Sequence, residues 1–520
     1  MEKYLMAIDA GTGSVRAVIF DLNGNQIASS QREWIHLEDP RYPNSMNFDW
    51  DKNWRLTRIC IAESIQKASI TDGEIAAVST TCMREGIVLY DKDGLEIWAC
   101  ANVDARATNE VKSLIQKNHG LEKELYMKSG QSFALDALPR LLWVKNNLPD
   151  VYDKTAYMGM FNDWLIYKLC GNLAVEPSNG STTGFINLET RKWGTSIAEK
   201  IGIKTDIFPL ILEPGEIAGK VSKNASEETG LKEGTTIVVG GGDAQLGTIG
   251  VGVVQDGEAA IFGGSFWQYE YNTSSPKVDI EGRVRVNCHA VNDLYQYEAL
   301  AFKPGLVMRW FRDAFCQLEK LEAEKTGEDV YDILNKYAKD IPAGSYGMQC
   351  TFSDIMNFMC WKHASPTFTN FELDPEKFNK YTFYRSILEN TAYVTRGHVE
   401  LVNGFTGKTP KYIIFASGAS KSSLWSQILA DVLNIEIKVP KVKEATALGA
   451  AIIAGYGVGI YKDIKKTAKE LVEIEEIYKP NSENNEIYNE QYKKWKLLYC
   501  ENLKIANSGL ANHMWCAPGV

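Results

Sequence analysis

Asp9-Ala10-Gly11-Thr12-Gly13-Ser14-Val15-Arg16 is the stretch on which the fold of this chain turns. An apolar run, Tyr4 to Ile8, leads into it. Another, Ala17 to Phe20, leaves it and closes at Asp21-Leu22-Asn23-Gly24. The pattern predicts strand, tight glycine loop, strand and a second turn. Gly11 and Gly13 let the backbone bend sharply and bring N–H groups to one point, and Thr12 and Ser14 add hydroxyls. Such a nest of donors suits phosphate oxygens. Asp9, at the strand's end, can face a divalent cation that bridges those oxygens. Arg16 lies two residues after Ser14 and can point to the same side. Taken alone, the stretch reads equally well as an ordinary hairpin turn.

Working outward, strand and helix patterns alternate along the whole chain, which predicts an α/β fold. Ile75 to Thr80, Ile87 to Tyr90 and Ile237 to Val239 read as strands; Asp104 to Gln116, Leu138 to Asn146 and Asp163 to Leu169 read as helices. A second strand-loop-strand, Ala259 to Phe262, Gly263-Gly264-Ser265 and Phe266 to Tyr271, repeats the opening logic in the other half. A third glycine turn, Ser417-Gly418-Ala419-Ser420, follows the strand Tyr412 to Phe415 and opens the helix Ser422 to Val432. Two similar hairpins predict two domains facing each other across a cleft, with the boundary near 246–257. The expected division is a first domain over 1–247, a second over 257–460, and a helical extension over 461–520 packed on the second. Lys465 to Glu476 reads as one charged, solvated helical face.

The chain has 520 residues, 45% of them hydrophobic, enough for two large cores. Its net charge of −10 argues against a general nucleic-acid binder. None of the ten cysteines forms a C-x-x-C pair, so reduced thiols in a cytoplasmic protein are expected. The six histidines lack metal-ligand spacing, which argues against zinc. Asp9 interrupts the only N-terminal apolar run, so no signal peptide is expected. No window approaches the roughly 18 apolar residues of a membrane span. Ala445 to Ile460, with four glycines, reads instead as a helix packed against a neighbour.

Asp243 follows Gly240-Gly241-Gly242 at the end of a strand. A carboxylate there can take a proton from a substrate hydroxyl as it attacks phosphorus, or can cap the helix that follows. Met83-Arg84-Glu85-Gly86 lies between two strands; Arg84 and Glu85 can clamp a polyol or carbonyl compound, or form an incidental pair on a surface turn. Gly263-Gly264-Ser265 can hold terminal phosphates from the opposite side. The turn at Gly418 opens a helix whose N-terminus favours anions. Trp267 can line a substrate pocket or simply fill the core.

In this order, the pieces resemble the FGGY carbohydrate kinases over about residues 4–460. Arg140-Leu141-Leu142-Trp143, Arg385-Ser386-Ile387-Leu388-Glu389, Gly418 to Asp431 and Glu444 to Gly449 add to the match. The resemblance implies a two-domain actin-like (ribonuclease H-like) ATPase fold with a central inter-domain cleft, using ATP and Mg²⁺. It implies that Asp243 is the catalytic base and Asp9 the carboxylate near the metal. Thr12, Gly13, Ser14 and Arg16 would form the first phosphate loop, and Gly264 and Ser265 the second. Gly418, Ala419 and Ser422 would meet adenosine. Arg84 and Glu85 would grip substrate hydroxyls, and Asn102 would stand on the substrate wall. Within the family, Ile97 to Arg106, Met308 to Cys316 and Leu424 to Val432 narrow the resemblance to kinases that phosphorylate the terminal hydroxyl of a linear dihydroxypentanedione. A ketopentose kinase for xylulose or ribulose is the near alternative, and a non-enzymatic actin-like nucleotide-binding protein the distant one. The expected partner is a small-molecule substrate, with no nucleic acid and no membrane; a homodimer is allowed, and a regulatory protein partner is left open. Ser417 stands where many relatives have glycine, and Arg140 where lysine is usual.

Overall fold

The opening stretch lies at the heart of a six-stranded sheet. The strands run in the order Ile217–Lys220, Thr236–Gly242, Ile75–Cys82, Tyr4–Ala10, Ser14–Phe20, Gln26–Glu33. The computed structural model describes residues 3–520. Tyr4–Ala10 pairs antiparallel with Ser14–Phe20, bringing Asp9 opposite Arg16, and parallel with Ile75–Cys82. Thr236–Gly242 runs parallel on the far side of Ile75–Cys82. From Leu5 to Ile8 the central strand is apolar on both faces and buried, as strands covered on both sides require.

A second sheet of seven strands repeats this arrangement. Tyr295–Ala301, Trp267–Thr273 and Ala259–Gly263 form the antiparallel trio, and Tyr412–Ala416 and Glu436–Pro440 the parallel pair; Arg285–Cys288 and Ile474–Tyr478 extend the edges. The alternating pattern of the sequence is thus realised as two α/β lobes of one topology. The parallel strands of both lobes end at the residues singled out from the sequence: Asp9, Arg84, Asp243, Gly264 and Gly418 all follow or close a strand at its C-terminal end. Ligands of such sheets bind beyond those ends.

Two helices join the lobes, Asp243–Gly250 and Ala445–Gly457. They meet at glycines: a Cβ on Gly250 would lie 1.8 Å from the Ala445 carbonyl oxygen, and one on Gly449 would lie 1.9 Å from that of Leu246. Only backbone fits at this crossing, so the two halves bear directly on each other. Leu246, Ile249, Leu448 and Ile452 then join Leu5, Ala77 and Val238 in one core beneath the first sheet.

A smaller sheet on the first lobe, Leu37–Asp39, Tyr42–Asn47, Glu96–Cys100, Ile87–Tyr90 and Tyr157–Met160, carries the segments flanking Glu85 and Asn102. The charged stretch 465–476 differs from the single helical face predicted. Ile464–Leu471 is a helix that buries Thr467 and Ala468, and Ile474–Tyr478 is an edge strand on Glu436–Pro440. Its glutamates are solvent-exposed on that edge, where charge discourages further strand pairing. Beyond it, helix Ser482–Asn507 buries Tyr488, Tyr492, Trp495 and Tyr499 against the second lobe. The chain then returns as strand His513–Cys516, paired with Lys362–Ala364. Gly519 finally touches Val111 of the first lobe, so this extension is not confined to the second lobe.

Candidate functional site

Two cavities of about 550 Å³ each hold the residues singled out from the sequence, one within the second lobe and one lined by both lobes. One is lined by Gly263, Gly264, Ser265, Gly418, Ala419 and Ser422, together with Arg309, Arg312, Tyr331 and Asn335 from two helices of the second lobe. The other is lined by Thr12, Arg84, Glu85, Asn102 and Asp243, with Gln268, Leu300, Phe302, Trp361 and Trp515. The structure therefore brings the second phosphate loop and the turn at Gly418 into one cavity, and the clamp, Asn102 and Asp243 into the other.

In the first loop, the carbonyls of Gly11 and Thr12 accept the Trp34 Nε1–H at 3.0 and 3.1 Å, and Thr12 O also contacts His36 Nε2 at 2.8 Å. A trans peptide holds its N–H opposite its C=O. The Thr12 and Gly13 N–H groups consequently point away from these rings, as a phosphate nest needs. Ser14 Oγ accepts from Gln31 Nε2 at 3.1 Å, and Asn102 Nδ2 donates to Thr12 Oγ1 at 2.9 Å, tying the loop to the wall of the cavity that both residues line. Arg16 is less free than the sequence suggests. Its Nε lies 3.3 Å from Asp9 Oδ2 and its NH1 2.5 Å from Glu444 Oε2. Asp9 is buried, and that burial pushes its carboxyl up to about 6; Arg16 opposes the shift, while Asp243 and Glu444 add to it.

Asp243 is the first residue of its helix, and its Oδ1 accepts the Ala244 N–H at 2.8 Å. The cap position itself is Gly242, so Asp243 does not cap the helix, and its side chain remains 37% exposed. Burial raises its pKa, and Arg84, whose Nε is 3.2 Å from Oδ1, restrains the rise. The glycines before it serve the sheet: a Cβ on Gly240 would lie 1.8 Å from Thr80 O. Arg84 is buried, with NH2 2.5 Å from Glu298 Oε2 of the second lobe. Glu85 reaches Arg285 NH1 at 2.5 Å, again across the lobes. Glu85 sits at φ 67°, a left-handed conformation unusual outside glycine. Its backbone is held there by Thr182 Oγ1, which accepts its N–H at 3.1 Å, and by Arg140, which donates to its carbonyl. Arg140 also donates to Asn102 O at 2.8 Å, so this departure from lysine props both walls of the clamp.

Ser422 caps helix Ser423–Leu433 by accepting the Trp425 N–H at 3.1 Å, and its hydroxyl donates to Asn335 Oδ1 at 3.1 Å. Trp267 is core: it stacks on Trp425 with ring centroids 4.8 Å apart and donates to Thr395 Oγ1 at 3.0 Å. Arg285, Glu298, Glu270 and Glu444 escaped the sequence reading as site residues. For the first three a signal existed. Polar residues fall at every second position of Gln268-Tyr-Glu270-Tyr-Asn272, of Arg285-Val-Asn287 and of Gln296-Tyr-Glu298, marking one polar face on buried strands.

Residues 4–250 match the N-terminal domain, and residues 266–458 the C-terminal domain, of the FGGY family of carbohydrate kinases. The chain belongs to that family and is an ATP-dependent kinase. It is similar to the Autoinducer-2 kinase of Yersinia enterocolitica, 49% identical over 99% of this chain and 98% of that one. It is 48% identical to the Autoinducer-2 kinase of Enterobacter sp. strain 638, over the same shares. Among solved structures it resembles xylulose kinase from Rhodospirillum rubrum (TM-score 0.83, 23% identity, 96% of this chain and 99% of that one). It also resembles Plasmodium falciparum glycerol kinase with ADP (TM-score 0.82, 20% identity, 96% and 98%). At those identities the likeness is one of fold. Among the described residues, no helix is long and apolar enough to cross a membrane.

Proposed function

We propose that the protein transfers the terminal phosphoryl group of ATP to the terminal hydroxyl of autoinducer-2 in its linear dihydroxypentanedione form, a step in quorum-sensing signal processing in the cytoplasm. The observation that carries this reading is the 48–49% identity, over nearly the whole chain, to proteins named Autoinducer-2 kinase. The geometry fits the chemistry. ATP is assigned to the cavity between Gly264-Ser265 and Gly418-Ala419, with Ser422 in its wall. Its phosphates would meet Thr12, Gly13 and Ser14, with Arg16 beside them. The acceptor is assigned to the cavity of Arg84, Glu85 and Asn102.

Asp243 is the proposed base. As the acceptor oxygen forms its bond to phosphorus, the hydroxyl proton passes to the Asp243 carboxylate and the bond to the bridging oxygen of ADP breaks. A pKa raised by burial suits a carboxylate that must take up a proton. Asp9 offers one buried hard oxygen donor at the strand end beside the first phosphate loop, which fits a Mg²⁺ whose other ligands would be ATP phosphate oxygens and water. Bound there, Mg²⁺ would neutralise phosphate charge; Arg16 keeps Asp9 in place. Domains over 1–247 and 257–460, closing over both substrates, would exclude water as a competing acceptor.

The test is ADP release by the purified protein with each acceptor in turn: the dihydroxypentanedione, xylulose, ribulose, glycerol and gluconate. The dione is expected to give the highest kcat/KM. Preference for a ketopentose would transfer the reading to that substrate class, and ATP turnover indifferent to every acceptor would end it.

A further inference from the structure

The acceptor cavity has a second chemistry opposite its charged clamp. Its floor is the face of the second-lobe sheet that looks toward the first lobe. Side chains two apart share a strand face, so Glu298, Leu300 and Phe302 stand in one row, with Glu270, Gln268 and Phe266 in the neighbouring row. The register pairs Glu270 with Glu298 and Gln268 with Leu300. The floor is thus graded, from Glu298, which holds Arg84, with Glu270 beside it, through Gln268 and Leu300, to the rings of Phe266 and Phe302, whose centroids are 5.4 Å apart.

The aromatic end is completed by the last residues of the chain. Trp515 lies on Phe302 with centroids 4.2 Å apart, and Trp361 packs edge-on to both, at 5.7 Å from Phe302 and 4.7 Å from Trp515. Trp515 is held there by the pairing of His513–Cys516 with Lys362–Ala364 and by Ala517, whose N–H donates to Trp361 O at 2.9 Å. The match to the shared kinase domains stops at residue 458, whereas the Autoinducer-2 kinases align over 99% of this chain. Phe302 and Trp361 lie inside the segment common to the family, and Trp515, which closes the wall, lies outside it.

We infer that Phe302, Trp361 and Trp515 receive the apolar carbon end of the acceptor, remote from the hydroxyl that reacts, and so select a methyl-ended acceptor over a polyol of equal length. The inference rests on the acceptor being the dihydroxypentanedione, whose far end is a methyl group, where a ketopentose carries a hydroxyl. The ring faces offer that methyl a complementary surface, and a hydroxyl placed on them finds no acceptor, since the only polar groups of the three rings are the indole N–H donors of Trp361 and Trp515. A hydrophobic wall of this kind discriminates by about 10- to 100-fold.

The experiment measures kcat/KM for the dione and for xylulose in the wild type, Trp515→Ala and Trp515→Phe. Trp515→Ala is expected to lose about 10-fold on the dione, through KM, with xylulose and the KM for ATP changed by less than about twofold; Trp515→Phe is expected to keep most of the preference. Phe302→Tyr places a hydroxyl in the wall and is expected to shift the ratio toward xylulose; it decides the matter if Trp515→Ala does not fold. Equal losses on both acceptors, or an unchanged ratio in Trp515→Ala and Phe302→Tyr, would overturn the inference while leaving the kinase reading intact. A wild type that ignores the dione overturns the substrate reading itself, before any variant is made, and this inference with it.

Discussion

Arg84 of the first lobe places its Nε 3.2 Å from Asp243 Oδ1. The same guanidinium holds Glu298 of the second lobe at 2.5 Å, and Glu85 beside it holds Arg285 at 2.5 Å. The proposed base, the acceptor clamp and the contact between lobes are therefore one chain of charges. Removing a link has consequences for chemistry, binding and folding that can be separated by experiment.

Asp243→Asn keeps the size of the side chain and its place at the helix start, but removes the proton acceptor. A loss of about 10²- to 10⁴-fold in kcat is expected, with ATP affinity by calorimetry little changed. An Asn variant that retains a substantial share of turnover would take Asp243 out of the role of base.

Arg84→Ala should raise the KM for the acceptor far more than that for ATP. It also leaves Glu298 buried beside Glu270, with Arg285 as its remaining cation. Breaking a buried pair in this way costs about 3–5 kcal/mol, visible in denaturant unfolding. Changing Glu298→Gln in the same chain should recover part of that stability without restoring the acceptor KM. Equal changes in both KM values would make Arg84 purely structural.

For Asp9 the sign of the pH dependence follows from burial. Its carboxyl is pushed up to about 6, so it becomes uncharged as pH falls through that value, and a cation site there weakens. The apparent affinity for Mg²⁺ in the ATPase assay should fall between pH 7 and pH 5, and Asp9→Asn should abolish that step. The opposite sign holds for folding. A carboxyl whose folded pKa is raised costs stability above pH 6, and that cost is relieved as pH drops from about 6 toward its unfolded value.

Ser417 occupies φ 77°, ψ −168°, a region that belongs almost wholly to glycine. Holding a side chain there costs about 1–3 kcal/mol, of which the greater backbone freedom of unfolded glycine takes back part. Ser417→Gly should therefore stabilise the protein by about 1 kcal/mol in denaturant unfolding, with little change in the KM for ATP. A destabilised variant would show that the Ser417 side chain contributes something its strain conceals.

The residues legible in the sequence share a property: each acts through local backbone geometry. The loop Gly11-Thr12-Gly13, the turn at Gly418 and the strand-end Asp243 announce themselves by glycines beside apolar runs, and the two-lobed α/β fold follows from their repetition. What escaped depends on register. Arg285 and Glu298 are ordinary charged residues until strand pairing sets them across from each other and beneath Arg84. Glu444 lies 428 residues from Arg16 along the chain and 2.5 Å from it in space. Trp515 becomes part of a cavity only because a short strand at the end of the chain returns to Lys362–Ala364. Charged residues in the segment 465–476 misled for a related reason: an edge strand tolerates them as readily as a solvated helix does.

The crossing of Asp243–Gly250 with Ala445–Gly457 tests whether the lobes must bear on each other for catalysis. A methyl on Gly250 has nowhere to go, since Ala445 O lies 1.8 Å from its position and Gly449 N 3.0 Å. Gly250→Ala must therefore wedge the helices apart, at about 1–3 kcal/mol for overpacking. One helix begins at Asp243 and the other directly after Glu444, the partner of Arg16, so the wedge displaces the proposed base relative to Asp9 and the first phosphate loop. A fall in kcat of at least about 10-fold is expected, since small displacements of a reacting group are costly. The control is Gly404→Ala, inside helix Lys380–Thr406 with no atom near the added methyl. It should gain about 0.5–1 kcal/mol from helix propensity and leave kcat unchanged. Were Gly250→Ala to match Gly404→Ala in both turnover and stability, the crossing would be a passive contact and not the point on which the two halves of the site are aligned.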